Sequence, residues 1–556
     1  MSDFRRYETG AYDDMMATFK WEIPARYNIA VDTVDKHDPG RLAMLWEDWQ
    51  GAERRLTFGD FQSMSNRIAN VLRGLGVERG DRVAVLLPSL PETAAAFIAV
   101  YKVGGILLSL SQLYGDDSIA HRLSDSGARL LITDGANRPR LEGMRDRVAS
   151  LERVAVLQAG QALAGDDVDL DAAMQKASDT GAVEDTAPDD PAQLYYSSGT
   201  TGEAKGILHA HRYLLGHNEY ELCHDVRGDE LFHSTGEWAW IAGIVPGLLG
   251  PWRYGVPVAV FQRQGGYDPE QTLYLLEKYN VGNMFSTPTA LRAMTQVKDA
   301  GSKYSVKLRI ACSAGEPLNP EVIRWSQEQL GIPILDYYGL TESYPLCGNF
   351  PTVEVRPGSM GLPLPGWEVA ILDPRTEEEL PAGERGEICL RARTNPHYPI
   401  GYWNRPGDTE QDFGGDWFHT KDAARKDEDG YVWYEGRADD VIISAGYRIG
   451  PFEVESAIVE LAEVVEAAAV ASPDASRGNI VKAFVRVTPD SQPNEELVKK
   501  IQNHVRESYA SYAYPREVEF VEELPKTLTG KIRRIELREA EQERKGSSVQ
   551  ELPGRD

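Results

Sequence analysis

The sequence has 556 residues, of which 42% are hydrophobic and 26% are charged, and its formal net charge at pH 7 is −27. A chain of this length exceeds what a single hydrophobic core supports, so we expect more than one domain. The excess of acidic residues argues against a nucleic-acid-binding protein, which needs a basic surface, and against docking on anionic lipid.

The start of the chain and its cysteines indicate the compartment. The segment MSDFRRYETGAYDDMM lacks the apolar core of a secretory signal. The four cysteines, Cys223, Cys312, Cys347 and Cys389, are widely spaced and form no Cys-x-x-Cys pair. Because this usage is typical of a reducing compartment, we predict a cytoplasmic protein without a disulfide framework or a zinc centre.

The first predicted elements surround the most apolar part of the sequence. The run RVAVLLP, residues 82–88, predicts a buried strand, and a helical pattern follows from about Glu92 to Val103. The run ILLSL, residues 106–110, predicts a second strand. Because Lys102 and a Gly-Gly pair interrupt the apolar stretch, we expect a buried helix and strand here and no membrane span.

A further strand, helix and strand are predicted in LRIACSAGEPLNPEVIRWSQEQLGIPILDYYG, residues 308–339. Alternation of strands and helices is typical of parallel sheets with crossover helices, so the predicted fold class is α/β. Ligands of such sheets gather at the carboxyl ends of the strands. The loops SAGEP, residues 313–317, and YYGLTES, residues 337–343, would lie there.

The pattern changes twice in the C-terminal part of the chain. From about Gly358, short segments rich in Gly and Pro predict antiparallel hairpins and hence a β-rich subdomain. After GRADD, a compact unit is predicted with helix, strand, helix and strand at FEVESAIVEL, VKAFVRV, NEELVKKIQNHVRESY and REVEFVEEL. We predict a large N-terminal domain of mixed and parallel sheets, residues 1–438, and a small mobile α+β domain, residues 439–556. The tail after about Gln542 is predicted to be disordered.

The segment SSGTTGEAKG, residues 197–206, combines six consecutive Ser, Thr or Gly residues with one lysine. A flexible backbone with hydroxyl groups and a cation suits a phosphate-binding loop. The P-loop pattern GxxxxGK[ST] is excluded, because two residues separate Gly202 from Lys205 and no hydroxyl follows the lysine. A flexible linker is the alternative. The predicted buried strand AQLYY, which ends at Tyr196, favours an ordered binding loop instead.

The order of residues in YYSSGTTGEAKG resembles the signature of the adenylate-forming (ANL) superfamily, which includes acyl-CoA synthetases, adenylation domains of peptide synthetases, and luciferases. Five further segments follow in the family's order: SAGEPLNP, DYYGLTES, FHTKDAARKDEDGYVWYEGRADDVI, SAGYRIGPFEVESAI and PKTLTGKIRR. The segments ARYNIAVDTVDKH and YAYPREVEFVEELPKTLTGKIRR are most similar to the medium-chain acyl-CoA synthetase branch.

The resemblance implies an ATP-dependent, AMP-forming acid–CoA ligase with a two-step reaction. A carboxylate attacks the α-phosphate of ATP and expels pyrophosphate, and the CoA thiolate then displaces AMP from the acyl-adenylate. The implied partners are a small carboxylic acid, ATP, Mg²⁺ and CoA, and whether the chain forms a homo-oligomer is left open. Two alternatives keep the same fold: an adenylation protein that loads a carrier protein, and a catalytically silent nucleotide-binding protein.

The resemblance also implies roles for individual residues in the adenylation step. Lys531, Thr341 and Glu342 would be catalytic, with Glu342 binding Mg²⁺, a hard cation that prefers carboxylate oxygen. Tyr338 would stack near adenine, and Asp422 would accept from the ribose hydroxyls. The full implied ATP- and AMP-binding set is Ser197, Ser198, Gly199, Thr200, Thr201, Gly202, Lys205, Gly315, Glu316, Pro317, Asp336, Tyr337, Tyr338, Gly339, Leu340, Thr341, Asp422, Arg437 and Lys531.

The second half of the reaction needs different surroundings, so the small domain is expected to move about a hinge at Asp439. The resemblance places Ala445 to Arg448 beside the thiol tunnel, where Gly446 would permit close approach. The implied CoA-binding residues are Gln112, Ala445, Gly446, Tyr447, Arg477 and Arg506.

The size of the acid is predicted from the residues that match the family's acyl pocket: Trp238, Ala239, Gly315, Gly339, Thr341 and Arg448. In acetate-specific relatives, the position of Gly339 resembles one held by a bulky Trp, so glycine predicts a longer or wider acid than acetate. Trp238 and Trp240 would provide aromatic walls for a medium-chain, branched or aryl group. Two plain core tryptophans are an equally good interpretation.

Overall fold

The structure, a computed structural model, describes residues 12–196, 204–391, 394–437, 440, 442–444, 447–474, 477–527 and 530–549, without the side chains of residues 448 and 546–549.

The strands of the N-terminal part are β1 (Leu42–Asp48), β2 (Glu53–Thr57), β3 (Arg82–Leu86), β4 (Ile106–Ser109), β5 (Leu130–Asp134), β6 (Arg153–Leu157), β7 (Val168–Asp169), β8 (Pro191–Tyr196), β9 (Gly206–Ala210), β10 (Phe232–Ser234), β11 (Val258–Gln262), β12 (Asn283–Phe285), β13 (Ile310–Ser313), β14 (Ile334–Tyr338), β15 (Cys347–Gly348) and β16 (Leu362–Pro363). The later strands are β17 (Glu368–Leu372), β18 (Arg385–Arg391), β19 (Gly401–Tyr402), β20 (Phe418–Lys426), β21 (Val432–Arg437), β22 (Ile442–Ser444), β23 (Tyr447–Ile449), β24 (Val464–Asp474), β25 (Gly478–Val487) and β26 (Glu517–Phe520).

The α-helices are α1 (Tyr12–Thr18), α2 (Phe58–Gly74), α3 (Pro91–Lys102), α4 (Asp116–Ser126), α5 (Met144–Arg147), α6 (Leu170–Lys176), α7 (Glu219–Leu222), α8 (Ile241–Ile244), α9 (Gly250–Arg253), α10 (Pro269–Lys278), α11 (Pro288–Thr295), α12 (Ala300–Lys303), α13 (Pro320–Gln329), α14 (Pro406–Phe413), α15 (Pro451–Val459), α16 (Glu495–Ser508) and α17 (Arg534–Val549).

Two large sheets dominate the N-terminal part, and the predicted α/β class is confirmed. One has the strand order β16-β15-β14-β13-β12-β10-β11-β1-β2, and the other β19-β9-β8-β4-β3-β5-β6-β7. Within the first sheet, neighbouring strands from β14 to β1 run parallel. Within the second, β4, β3, β5 and β6 run parallel. The predicted strand–helix–strand units at β3-α3-β4 and β13-α13-β14 are both present.

Helices α2 and α3 belong to one hydrophobic core that joins both sheets. Its members include Val83 of β3, Val258 of β11, Phe61 of α2 and Phe97 of α3. Helix α3 is buried almost all round, which explains why its sequence is apolar without a polar face. In the described ranges, no helix is long and apolar enough to cross a membrane.

The C-terminal part departs from the prediction in two places. The predicted hairpins form the antiparallel sheet β17-β18-β20-β21, and a separate sheet β24-β25-β26 forms with helices α15, α16 and α17 near it. Strand β24 was not predicted, because EVVEAAAVAS is rich in alanine, which strands disfavour. The predicted disorder after Gln542 is wrong as far as Val549, because α17 continues to that residue and Lys545 pairs with Glu517 of β26 at 2.7 Å. The predicted hinge at Asp439 lies outside the described residues, and the boundary there stays a prediction.

Glu453 of α15 is a buried acid with an unusual titration. Its Oε2 atom is buried and has no hydrogen-bond partner among the described residues. Burial raises the pKa of Glu453 to about 7 from the ordinary value of 4.5, and the negative charge of Glu435 adds to the effect. The protonated carboxyl is therefore the form that suits the folded protein.

We expect the substitution Glu453→Gln to make the free energy of unfolding less dependent on pH. A raised pKa means that the folded state binds more protons than the unfolded state, so wild-type stability falls as pH rises from about 4.5 to about 7. Between pH 5 and pH 8, the free energy of unfolding of the variant should rise relative to that of wild type by on the order of 2 kcal/mol. Urea midpoints across this range measure the effect, and parallel profiles for the two proteins would contradict it.

Candidate active site

Five neighbouring strand ends define one edge of the nine-stranded sheet. Strands β14, β13, β12, β10 and β11 run parallel, so their carboxyl ends point the same way. The segments that leave them carry Gly339, Gly315, Thr289, Glu237 and Arg263 respectively. Loops at the carboxyl ends of parallel strands are where α/β proteins bind ligands.

Two adjoining cavities open at this edge, here called cavity A, of about 660 Å³, and cavity B, of about 910 Å³. They share Trp240, Gly315, Glu316, Gly339, Leu340, Arg437 and Lys531. The predicted nucleotide residues that line at least one of them are Lys205, Gly315, Glu316, Pro317, Asp336, Tyr337, Tyr338, Gly339, Leu340, Thr341, Asp422, Arg437 and Lys531, and the predicted metal ligand Glu342 lines cavity B.

An aromatic and acidic wall forms one side of cavity A. Tyr338, the last residue of β14, donates its hydroxyl to Oδ2 of Asp422 at 2.7 Å. Asp422 and Arg437 are paired in register across β20 and β21, with their charged atoms 3.4 Å apart. Burial also raises the pKa of Asp336 well above its ordinary value. Ring faces and buried carboxylate oxygens are suited to a heterocycle with amine and hydroxyl groups.

The ring of Tyr337, in contrast, points into the core. It is 1% exposed and packs against Tyr344 and His224. Tyr337 therefore borders cavity A while its ring packs in the core, and its part in nucleotide binding stays a prediction.

Cavity B contains a carboxylate that is suited to a hard divalent cation. Burial raises the pKa of Glu342, and the negative charge of Asp412 adds to the effect. The Tyr402 hydroxyl lies 3.5 Å from Glu342 and 3.1 Å from Asp412. A cation beside these carboxylates would relieve the cost of burying their charge, so the residues present fit Mg²⁺. Lys205 pairs with Asp408 at 2.6 Å on the same side.

Lys531 reaches both cavities from the C-terminal part of the chain. Gly530 has φ +90°, and a Cβ there would lie 2.9 Å from Cγ2 of Thr289, so glycine permits this close packing. Behind the lysine, Arg534 donates two hydrogen bonds to the carboxylate of Glu455, at 2.8 and 2.6 Å. The segment that carries Lys531 is thus fixed on both sides.

His209 supports the loop that carries Thr341, and sequence reasoning missed this role. Its Nε2 lies 2.9 Å from the carbonyl oxygen of Thr341, which requires the tautomer with N–H at Nε2. Burial lowers the pKa of His209 to about 3, so the ring is neutral at physiological pH. His209 lies on β9, directly after the predicted phosphate loop, and therefore connects the two segments.

Gly339 lines both cavities, but the space beside it is not empty. A Cβ at this position would lie 2.4 Å from Cδ2 of Tyr344, and the Tyr344 side chain is almost fully buried. The expectation that the missing side chain by itself leaves room for the acid is therefore corrected. Glycine accommodates Tyr344 in the direction of a Cβ, although Gly339 itself still borders both cavities.

The two tryptophans of STGEWAWIAG have different surroundings. Trp240 lines cavities A and B and packs edge-on against Tyr114. Trp238 is buried beside Phe97 in the core. With Ala239, it borders a small cavity of about 160 Å³, here called cavity C, which adjoins cavity B and shares Glu237 and Arg263 with it. Trp238 is therefore a core residue that also borders cavity C, Trp240 borders the two larger cavities, and their roles toward the acid stay predictions.

The predicted CoA-binding residues that the structure describes, Gln112, Tyr447, Arg477 and Arg506, are not brought together. Tyr447 is exposed and stacks on Tyr512, with ring centroids 4.4 Å apart. The guanidinium of Arg506 lies over the ring of Tyr514, and the backbone N–H of Arg477 donates to Asp474. None of these lines cavity A or B, and Gln112 lines cavity C.

Several predicted residues lie outside the described part of the chain. They are Ser197, Ser198, Gly199, Thr200, Thr201 and Gly202 of the phosphate loop, Asp439, Ala445 and Gly446, together with the side chain of Arg448.

Comparison with known proteins places the chain in a family. The profile of the AMP-binding enzyme family matches residues 31–403, and that of the AMP-binding enzyme C-terminal domain matches residues 453–531. The chain belongs to the AMP-binding enzyme family. The predicted resemblance to adenylate-forming enzymes is confirmed.

Three similar proteins extend over nearly the whole chain. Mitochondrial acyl-coenzyme A synthetase ACSM3 of Mus musculus is 36% identical over 550 residues, covering 95% of this chain and 93% of that protein. The uncharacterised acyl-CoA ligase YtcI of Bacillus subtilis is 36% identical over 537 residues, covering 94% of this chain and 98% of that protein. The crystal structure of anthranilate CoA ligase AuaEII with anthranoyl-AMP has a TM-score of 0.86 and 30% identity, covering 94% and 99%. The predicted enzyme class, an AMP-forming acid–CoA ligase, is confirmed.

Sequence reasoning missed several residues of this AMP-binding enzyme's cavities. Glu237 and Arg263 line cavity B close to the ends of β10 and β11, and Tyr402 and Asp412 line it beside Glu342. The strand ends could have indicated the first two, because each follows a short apolar run. No sequence signal indicates the other pair, which depends on how the β-rich part packs on β9.

Proposed function

We propose that this ligase activates a carboxylic acid larger than acetate, and that the described arrangement serves the adenylation step. The meeting of Lys531, Thr341 and Glu342 in cavity B, next to the aromatic and acidic wall of cavity A, carries the adenylation step. The volume of cavity B, about 910 Å³, supports an acid larger than acetate. A lysine from one part of the chain and a Thr-Glu pair from another then surround one phosphorus atom.

In this proposal, cavity A holds AMP and cavity B holds the reacting carboxylate and the departing pyrophosphate. Tyr338 stacks near adenine, and Asp422 accepts from the ribose hydroxyls with Arg437 beside it. Glu342 holds Mg²⁺, which neutralises charge on the phosphates when it is bound. The Lys531 ammonium attracts both the carboxylate and the α-phosphate, two anions that otherwise repel each other.

The thioester step requires a second arrangement of the C-terminal part. Tyr447, Arg477 and Arg506 lie away from cavities A and B, so CoA binding there would need these residues to move relative to Thr341. We propose rotation about Asp439 as that movement, with free CoA rather than a carrier protein as acceptor. The cytoplasmic location stays a prediction.

We expect Lys531→Ala to lower ATP–pyrophosphate exchange by about a hundredfold or more, because it removes a cation from the transition state of adenylation. Thioester formation from supplied acyl-adenylate should be spared. The control is Lys499→Ala, an exposed lysine of α16 outside both cavities. Normal exchange in the Lys531 variant would contradict the assignment.

We expect pyrophosphate release to be faster with longer, branched, sulfur-containing or aromatic acids than with acetate. In the same panel, Gly339→Ala should lower kcat/KM about tenfold, because the new Cβ displaces the Tyr344 ring. Gly74→Ala is the matched control, since a Cβ there meets no atom within 4 Å. Acetate as the best wild-type substrate would contradict the proposed acid size.

A further inference from the structure

Cavity B has in its wall a guanidinium, that of Arg263, which forms no ion pair with the described residues. Arg263 follows β11, and its Nη2 donates to the carbonyl oxygen of Thr235 at 2.7 Å. The guanidinium carbon lies 5.0 Å from the ring centroid of Tyr267. Among the described residues, no acidic oxygen lies within ion-pair distance of Arg263. One backbone bond and one ring face satisfy only part of a group with five N–H donors.

A carboxylate stands in the same wall and is also without an ion pair in the described ranges. Glu237 follows β10 and lines cavity B together with Arg263. The Ser111 hydroxyl donates to its Oε1 at 2.6 Å. Burial raises the pKa of Glu237, whereas the positive charge of Arg263 lowers it. The two side chains thus influence each other without forming a direct pair.

Arg263 and Glu237 lie on the same edge of the sheet as the reacting centre, toward the other end of the row of strand ends. Thr341 and Glu342 follow β14, at one side of the row of parallel strands, whereas Arg263 follows β11. Cavity B extends along this row, and Ile241 and Ala242 line it together with these four groups. An acid whose carboxylate lies beside Thr341 would therefore direct its far end toward Arg263.

Partly buried charges without an ion pair are costly unless a ligand supplies further hydrogen bonds. A fully apolar acid would remove water from Arg263 and Glu237 and give nothing in return. Sites built to hydrogen-bond a substrate group reject analogues that lack the group far more strongly than apolar pockets reject a missing methylene. The wall of cavity B therefore favours a polar far end.

We propose that the acid carries a second oxygen function at its far end, a hydroxyl, carbonyl or carboxylate, which accepts hydrogen bonds from Arg263. A hydroxyl or a protonated group there also donates to Glu237. The inference rests on the proposed function, because it names the class of acid that the ligase activates. It narrows the expectation of a medium-chain, branched or aryl acid to one with a polar terminus.

The test compares matched acids in pyrophosphate release coupled to CoA consumption. Butanoate, hexanoate and octanoate are each compared with the ω-hydroxy acid and the dicarboxylate of equal length. We expect wild-type kcat/KM to be at least about tenfold higher for one oxygenated series than for the unsubstituted acids. A preference for dicarboxylates identifies an anionic far end, and a preference for hydroxy acids identifies a neutral one; both support the proposal.

Variants of Arg263 distinguish a role in recognising the acid from a role in folding. Arg263→Leu should lower kcat/KM at least about tenfold for the preferred oxygenated acid while leaving unsubstituted acids unchanged or improved. Arg263→Gln keeps a donor for Thr235 and should also lose the preference, so a folding defect of the leucine variant does not prevent the test. Gln264→Leu, at an exposed neighbour, is the matched control and should behave as wild type.

Two results overturn the proposal. One is a wild-type preference for unsubstituted acids at every length. The other is an equal loss for all acids in both Arg263 variants, which would make Arg263 a structural support of the Thr235 loop. Failure of wild type to release pyrophosphate with any acid would overturn the proposed function itself, and is distinguishable because it precedes any comparison between acids.

Discussion

Parallel pairing of β14, β13, β12, β10 and β11 is the constraint on which the site depends. Because these strands run in one direction, each contributes the loop at its carboxyl end to a single row. The row carries Thr341 at one end and Arg263 at the other, with Glu316 and Glu237 between them. The chain thereby brings together groups that are far apart in sequence, and the cavity between them is long enough to hold more than a phosphate.

Burial of charge determines what this row can bind. Burial raises the pKa of Asp336 and of Glu342, so both carboxyls favour ligands that donate hydrogen bonds or carry positive charge. Lys531 supplies positive charge from the C-terminal part, where Gly530 packs closely on Thr289. Acidic groups thus lie where the nucleoside and the metal ion would bind, and a lysine lies where the carboxylate and the α-phosphate would meet. This arrangement fits the activation of a carboxylate by ATP.

The sequence allowed much of the fold and of the nucleotide side to be predicted. Apolar runs such as those of β3 and β13 form buried strands next to predicted helices. Motif residues such as Tyr338, Asp422 and Lys531 line the cavities as expected. The acyl side was less predictable, because it depends on tertiary packing. Tyr344 occupies the space beside Gly339, and Trp238 packs in the core. Neither position can be predicted from the spacing of residues along the sequence. Strand β24 was missed because its alanines pack between β25 and the helices.

In the proposed complex, one acyl-adenylate lies along the row of strand ends. It extends from Asp422 in cavity A past Thr341 toward Arg263. A crystal structure with a non-hydrolysable acyl-sulfamoyl adenosine tests this most directly. We predict the ribose at Asp422, the sulfamoyl group between Thr341 and Lys531, and the acyl chain in cavity B with its far end at Arg263. An acyl chain whose far end lies away from Arg263, or a sulfamoyl group remote from Lys531, would contradict this arrangement.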